Sequence, residues 1–282
     1  MTAPNPSQFV QRSTELPDWQ ELRAAALHWL AEPDPASKAA GVTALYKAWI
    51  GNQLELDAEA HLRPRQHIPG RPARPELVPP LAVKHRSMGT VEGRAALIHA
   101  LAHIEFNAIN LALDAVWRYA GMPKDYYGDW LQVAAEESLH FSLLSAHLQT
   151  LGFSYGHFPA HNSLWEMAQK TEGDLLARMA LVPRTLEARG LDATPAVRAK
   201  LAQAGDQAAA EILDIILRDE IGHVAIGNRW YGWLCSARNL DPVAAYAELS
   251  AIYKAPPLRG PFNLDARRRA GFSERELALL TP

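Results

Sequence analysis

Val133-Ala134-Ala135-Glu136-Glu137-Ser138-Leu139-His140-Phe141 and Asp219-Glu220-Ile221-Gly222-His223-Val224 decide the fold between them. Each places a glutamate in the middle of an apolar helical stripe and a histidine three residues later. Around the first, Trp130, Val133, Ala134, Phe141, Leu144 and Leu148 share the face of Glu137; around the second, Leu213, Ile216, Leu217, Val224 and Gly227 share the face of Glu220. Residues at i and i+3 project from one side of a helix about one turn apart, so glutamate and histidine can reach a common point. A carboxylate buried alone costs several kcal/mol, so core carboxylates on neighbouring helices call for a shared cation.

Working outward, each pair has a preceding glutamate. Ile98, Leu101, Ala102, Ala108, Ile109 and Ala112 form a stripe around Glu105, which lies 32 residues before Glu137. Glu187 lies 33 residues before Glu220, behind the weaker stripe Leu176, Met179, Ala180 and Pro183. The chain thus holds two similar half-sites, each a glutamate followed by Glu-x-x-His. Two Glu-x-x-His helices with one glutamate from each of two others form the ligand set of two-metal helical bundles. The expected metal ligands are Glu105, Glu137, His140, Glu187, Glu220 and His223. Arg184, one turn before Glu187, is an alternative partner for it, and Glu172 or Asp174 would then take its place.

The rest of the pattern is helical. Apolar periodicity predicts helices over 18–30, 36–57, 91–120, 126–151, 164–189 and 196–236, with a weaker one over 241–253. Gly121-Met122-Pro123, Gly152 to Pro159 and Gly190 to Pro195 supply the breaks. Six prolines from Pro64 to Pro80 read as an extended connector. No clustered β-branched residues or hairpin turns suggest strands. The expectation is an all-α fold: N-terminal helices and connector over 1–80, a four-helix bundle over 81–238 and a C-terminal extension over 239–282.

A straight hairpin at Gly190 would leave Glu187 and Glu220 more than ~30 Å out of register at ~1.5 Å per residue. Helix must therefore continue past Gly190, or the chain must turn near Ala204-Gly205-Asp206. Pro183 removes one backbone hydrogen bond and predicts a kink that aims Glu187 inward.

Other residues divide more simply. Glu136 and Asp219 lie about 100° round the helix from the ligands and fit a role orienting a histidine. His99 and His103 fall off the stripe of Glu105 and suit a surface or interhelix role; His147 suits a core hydrogen bond. His157 and His161 sit in an aromatic-rich loop that would line an entrance. Trp19, Trp29 and Trp49 read as core anchors.

Bulk properties set few limits. The chain has 282 residues, 48% hydrophobic and 21% charged, with formal charge −3, so no global charge attracts nucleic acid or an anionic membrane. The basic runs Arg63–Arg74 and Arg267-Arg268-Arg269 lack the aromatic platforms of an RNA module. With no signal-peptide pattern and no uninterrupted membrane-length apolar run, the expectation is a soluble, cytoplasmic protein. Cys235 is the single cysteine, which excludes an internal disulfide and a cysteine metal cage, leaving His, Asp and Glu chemistry.

Residues 92–233 resemble the ferritin-like di-iron carboxylate superfamily. The segments around Glu137, Leu186-Glu187-Ala188-Arg189 and Asp219 to Val224 look like those of an uncharacterised bacterial ferritin-like family, domain of unknown function 455. Glu187-Ala188-Arg189 is also similar to a triplet in the tRNA hydroxylases of the superfamily. The resemblance implies a ferritin-like bundle and two metal ions, Fe/Fe or Fe/Mn. In it Glu105 and Glu187 would be terminal ligands, Glu137 and Glu220 bridging ones, and each histidine would hold one metal. It implies an oxidoreductase using dioxygen and an electron donor on an unidentified small molecule or modified nucleoside. Iron oxidation and storage, or a metal-stabilised bundle without catalysis, are the alternatives. The 80 N-terminal residues and the tail exceed what a storage cage requires.

Overall fold

Glycines, prolines and capping carboxylates divide the chain into helices where the sequence pattern changes. A computed structural model describes residues 20–83 and 86–280. The helices are α1 (Leu22–Ala31), α2 (Pro35–Ile50), α3 (Val91–Arg118), α4 (Lys124–Thr150), α5 (Ser163–Lys170), α6 (Leu175–Leu181), α7 (Ala188–Gln203), α8 (Gln207–Ala237), α9 (Pro242–Ile252), α10 (Leu264–Arg269) and α11 (Glu274–Ala278). A π-helical segment, Val182–Glu187, joins α6 to α7. Two isolated bridges are the only β-type pairing among the described residues, so the protein is all-helical.

Side-chain caps set several starts by satisfying backbone N–H groups that have no partner inside the helix. Thr90 accepts from Gly93 N at α3, Asp174 from Leu176 N and Ala177 N at α6, and Asp206 from Ala209 N at α8. α3 and α4 form a long antiparallel hairpin; α8 packs on α4, α6, α7 and the π segment. α1 lies on α3 and α2 on α4, and their Leu22, Leu30, Val42 and Leu45 join the same core as Ile109, Leu131 and Leu213.

Two buried cations pin the irregular chain to this core. Arg23 donates to the carbonyls of Asp57, Ala58, Ala60 and Trp117. Lys38 donates to the carbonyls of Leu30 and Gly70 and to Asn110 Oδ1. Beyond α2 the connector carries no helix until a single 3₁₀ turn at Pro80–Ala82. α3 has the length and mean hydropathy to cross a membrane, but 72% of its most apolar window is buried inside the protein.

The third predicted helix differs most from expectation. Residues 164–189 are not one helix: they break at Thr171 to Asp174, then widen into the π segment at Pro183. Helix also runs through Gly190 and Pro195, where a break was expected. Proline at 195 cannot donate to the Leu191 carbonyl, but Asn263 Nδ2 does so instead at 3.2 Å. The turn comes at Ala204 and Gly205, whose φ of +81° suits glycine. From that turn Glu187 and Glu220 are similar distances back along α7 and α8, so both register solutions operate together. α2 ends at Ile50 rather than 57, and α10 and α11 lie beyond the helices that periodicity predicted.

Candidate metal centre

Glu105 on α3, Glu137 and His140 on α4, and Glu220 on α8 are buried, and one ligand atom from each lies within 4.8 Å of the others. Glu137 sits between the two histidines: Oε2 is 3.3 Å from His140 Nδ1 and Oε1 is 3.0 Å from His223 Nδ1. His223 Nδ1 is also 3.7 Å from Glu220 Oε1, and His140 Nδ1 is 3.7 Å from Glu105 Oε2. Both imidazoles therefore turn Nδ1 toward the carboxylates.

Their other nitrogens are held crosswise. His140 of α4 meets Asp219 of α8 through Nε2 at 3.1 Å, and His223 of α8 meets Glu136 of α4 through Nε2 at 2.7 Å. The residue preceding each core glutamate thus braces the histidine of the opposite helix. Such a contact keeps Nε2 protonated, so Nδ1, turned to the carboxylates, is the nitrogen that could give up its proton to a cation.

Glu187, at the end of the π segment, lines the same cavity as Glu105 and Glu220. Its Oε2 is buried with no hydrogen-bond partner. Burial, then the charges of Glu220 and Glu137, push its carboxyl up to about 8. Arg184 does not pair with it; that guanidinium turns to Asn228 and Glu276 instead. Of the fallback acids, Glu172 pairs with Arg118 at the surface and Asp174 caps α6.

A close approach produces this arrangement. The widened turn at Pro183 presses on α8 at Gly227, where a Cβ would stand 2.5 Å from Pro183 Cβ. Thr185 Oγ1 bonds the Ala180 carbonyl five residues back, within the wider turn.

The electrostatics are those of an overcharged core. Burial raises Glu105 well above the usual carboxylate range, and the Glu137 charge adds to it. Burial would raise Glu137 as well, but His223 and His140 outweigh it and hold it well below that range. Burial would lower His140, yet the nearby carboxylates of Glu105 and Glu137 prevail and push it up to about 11. His223 is raised likewise, against burial, chiefly by the Glu137 charge. Glu105 Oε2, Glu187 Oε2 and His223 Nδ1 are buried without a hydrogen bond, although His223 Nδ1 stands 3.0 Å from Glu137 Oε1 as an ion pair. The close grouping of buried Glu105, Glu137, His140 and Glu220 could hold a cation.

The family described as "Protein of unknown function (DUF455)" matches residues 31–278. The chain belongs to this family. A relative described as "Uncharacterized protein", from Haemophilus influenzae (strain ATCC 51907 / DSM 11121 / KW20 / Rd), is 49% identical over 268 residues, 92% of each chain. No solved structure matches the chain significantly.

Elsewhere in this DUF455 chain, His99, His103 and His147 hold structure together. His99 Nε2 accepts from Gly156 N at 2.9 Å, and His103 meets Tyr155 Oη at 2.8 Å and the His161 carbonyl at 3.1 Å, fastening the 152–161 loop to α3. His147 pairs with Asp206 at 2.9 Å. His157 packs on Phe153 and Phe158, while His161 lines the cavity beside Glu105. Trp29 and Trp49 pack partly buried against the core; Trp19 lies outside the described residues. Of the basic runs, Arg71 is tied to Asn162, Arg267 is buried against Asp192, and Arg268 pairs with Asp265 and Glu274 at the surface.

Proposed function

We propose that this protein is a ferritin-like, non-haem two-metal oxidoreductase that uses dioxygen, with two electrons and two protons from an external electron donor, to hydroxylate or oxidise a small, largely apolar substrate. The observation that carries the reading is the convergence of one ligand atom each from buried Glu105, Glu137, His140 and Glu220 within 4.8 Å, with His223 Nδ1 3.0 Å from Glu137 and Glu187 lining the adjoining cavity. Four carboxylates match the charge of two divalent ions, with both histidines neutral. Glu105, Glu137, Glu187 and Glu220 would hold the ions together with His140 and His223; Glu137 faces both histidines. Iron, or iron with manganese, would supply dioxygen activation when bound.

The protein's own groups fit the remaining tasks. Glu136 and Asp219 keep each imidazole aimed and its Nε2 proton in place. A cavity of ≈ 310 Å³ reaches Glu105, Glu187 and Glu220 between Leu101, Ile104, Leu186 and Ile216. Its size suits a small organic molecule. A substrate-sized space beside the carboxylates favours catalysis over a purely structural metal.

The test is metal analysis of protein expressed with iron, followed by anaerobic reduction and admission of oxygen. The reading expects close to two metal ions per chain and a rapid absorbance change with oxygen uptake. Metal content near zero after anaerobic iron loading rejects the metal centre. Stable metal with no oxygen uptake rejects the oxidoreductase.

A further inference from the structure

A second cavity, of ≈ 560 Å³, lies away from the carboxylate cluster, between the π segment and the C-terminal helices α9 to α11. Its walls are mostly apolar, with Val243, Leu258, Phe262, Leu279 and Leu280 among them. Two arginines interrupt this lining. Arg184 is 4% exposed and Arg267 fully buried, which is rare for a guanidinium without full pairing.

Each arginine is only partly satisfied. Arg184 uses Nε on Asn228 and Nη2 on Glu276, and Arg267 uses Nε and Nη2 on Asp192. In both, Nη1 is buried without a hydrogen bond, and so is the hydroxyl of Ser250 on the same cavity. Aromatic rings cover the guanidinium planes: Arg184 stands 4.2 Å from the Tyr231 ring centroid, and both arginines stand over Phe272, at 5.1 and 5.2 Å. A ring face meets the plane of a guanidinium, whereas its N–H groups donate within that plane, so the rings leave Nη1 unanswered.

We propose that this cavity is a binding site for a monocarboxylic acid with an apolar body, its carboxylate accepting hydrogen bonds from Arg184 Nη1, Arg267 Nη1 and Ser250 Oγ. Charge selects the class. Asp192 and Glu276, the latter also lining the cavity, already balance the two arginines, so a carboxylate adds one uncompensated charge and a dianionic phosphate two; the three unused donors offset the smaller excess. The apolar lining selects the body, and the volume suits roughly ten carbons. The site is independent of the metal centre and of the reaction proposed there.

Decanoate is the probe, titrated calorimetrically into the full chain, with decanol as its uncharged counterpart. The expected result is saturable decanoate binding, with decanol at least ~10-fold weaker, the equivalent of one lost charge-assisted hydrogen bond. Arg184→Lys and Arg267→Lys keep the charge but remove Nη1, and each should weaken decanoate about 10-fold. Because Arg267 is buried, Ala247→Trp supplies a variant on an exposed position of α9. It should fill the cavity and abolish binding while the melting temperature stays near wild type. Absence of saturable decanoate binding, equal affinity for decanol, or unchanged binding in Ala247→Trp would each overturn the proposal.

Discussion

The two half-sites have nearly the same spacing and are built differently. Glu105 and Glu137 come from α3 and α4, two long helices joined by a short turn at Gly121, and their register follows from counting residues to that turn. Glu187 and Glu220 are joined by a π segment, a helix that runs through glycine and proline, and a later turn at Gly205. The first half needs only the hydrophobic stripe. The second depends on packing partners far along the chain: Gly227 against Pro183, and Asn263 on the Leu191 carbonyl. A π turn displaces a side chain without ending the helix, and such turns recur at functional sites. Equal spacing therefore does not imply equal robustness.

The largest effect should follow removal of the carboxylate that faces both halves. Glu137→Ala takes away the group between His140 and His223, so iron content measured after loading should fall by most of its wild-type value. Glu187→Ala should retain more metal, since Glu187 belongs to one half. Equal metal content in the two variants would break the distinction.

The crosswise braces come next. Glu136→Gln and Asp219→Asn should each weaken metal binding ~10–100-fold in a competitive chelator titration, with the helical circular dichroism unchanged. A loss in only one variant would show that one half-site tolerates a loose histidine.

Packing of the second half can be probed on α8 alone. Gly227→Ala drives a Cβ into Pro183 and should cost ~1–3 kcal/mol in denaturant unfolding. Gly222→Ala meets nothing within 4 Å and should gain up to ~1 kcal/mol from helix propensity. Similar values for the two would mean that the π turn yields easily.

The smallest effect concerns the loop fastened to the first half. Burial, helped by His157, lowers the His99 imidazole to about 4. Its neutral form therefore stabilises the fold above the unfolded value near 6.5. That contribution declines as pH falls from about 6.5 toward 4, because the unfolded chain takes up the proton first. His99→Gln should flatten the stability profile in that window. An unchanged acid slope would show that another group causes it.

Much of this was legible in the chain itself. Apolar periodicity specifies α3, α4 and α8 because a helix repeats every 3.6 residues and must bury one face. A carboxylate on that face stands out against its neighbours, which is how Glu105, Glu137 and Glu220 and their histidines could be read together. The pairing of Glu136 with His223 and of Asp219 with His140 was less visible, since position round a helix says which side a group takes but not which residue it meets. Tertiary structure alone decided the path from Leu175 to Gln203. There local signals from Pro183, Gly190 and Pro195 argue for breaks, and distant partners supply the hydrogen bond and the space that let the helix continue. Arg184 shows the same limit: sequence places it one turn from Glu187, but Glu276, 92 residues later, is the partner it finds. Local sequence sets propensity and periodicity, whereas a buried charge is settled by whichever counter-charge the completed fold brings within reach.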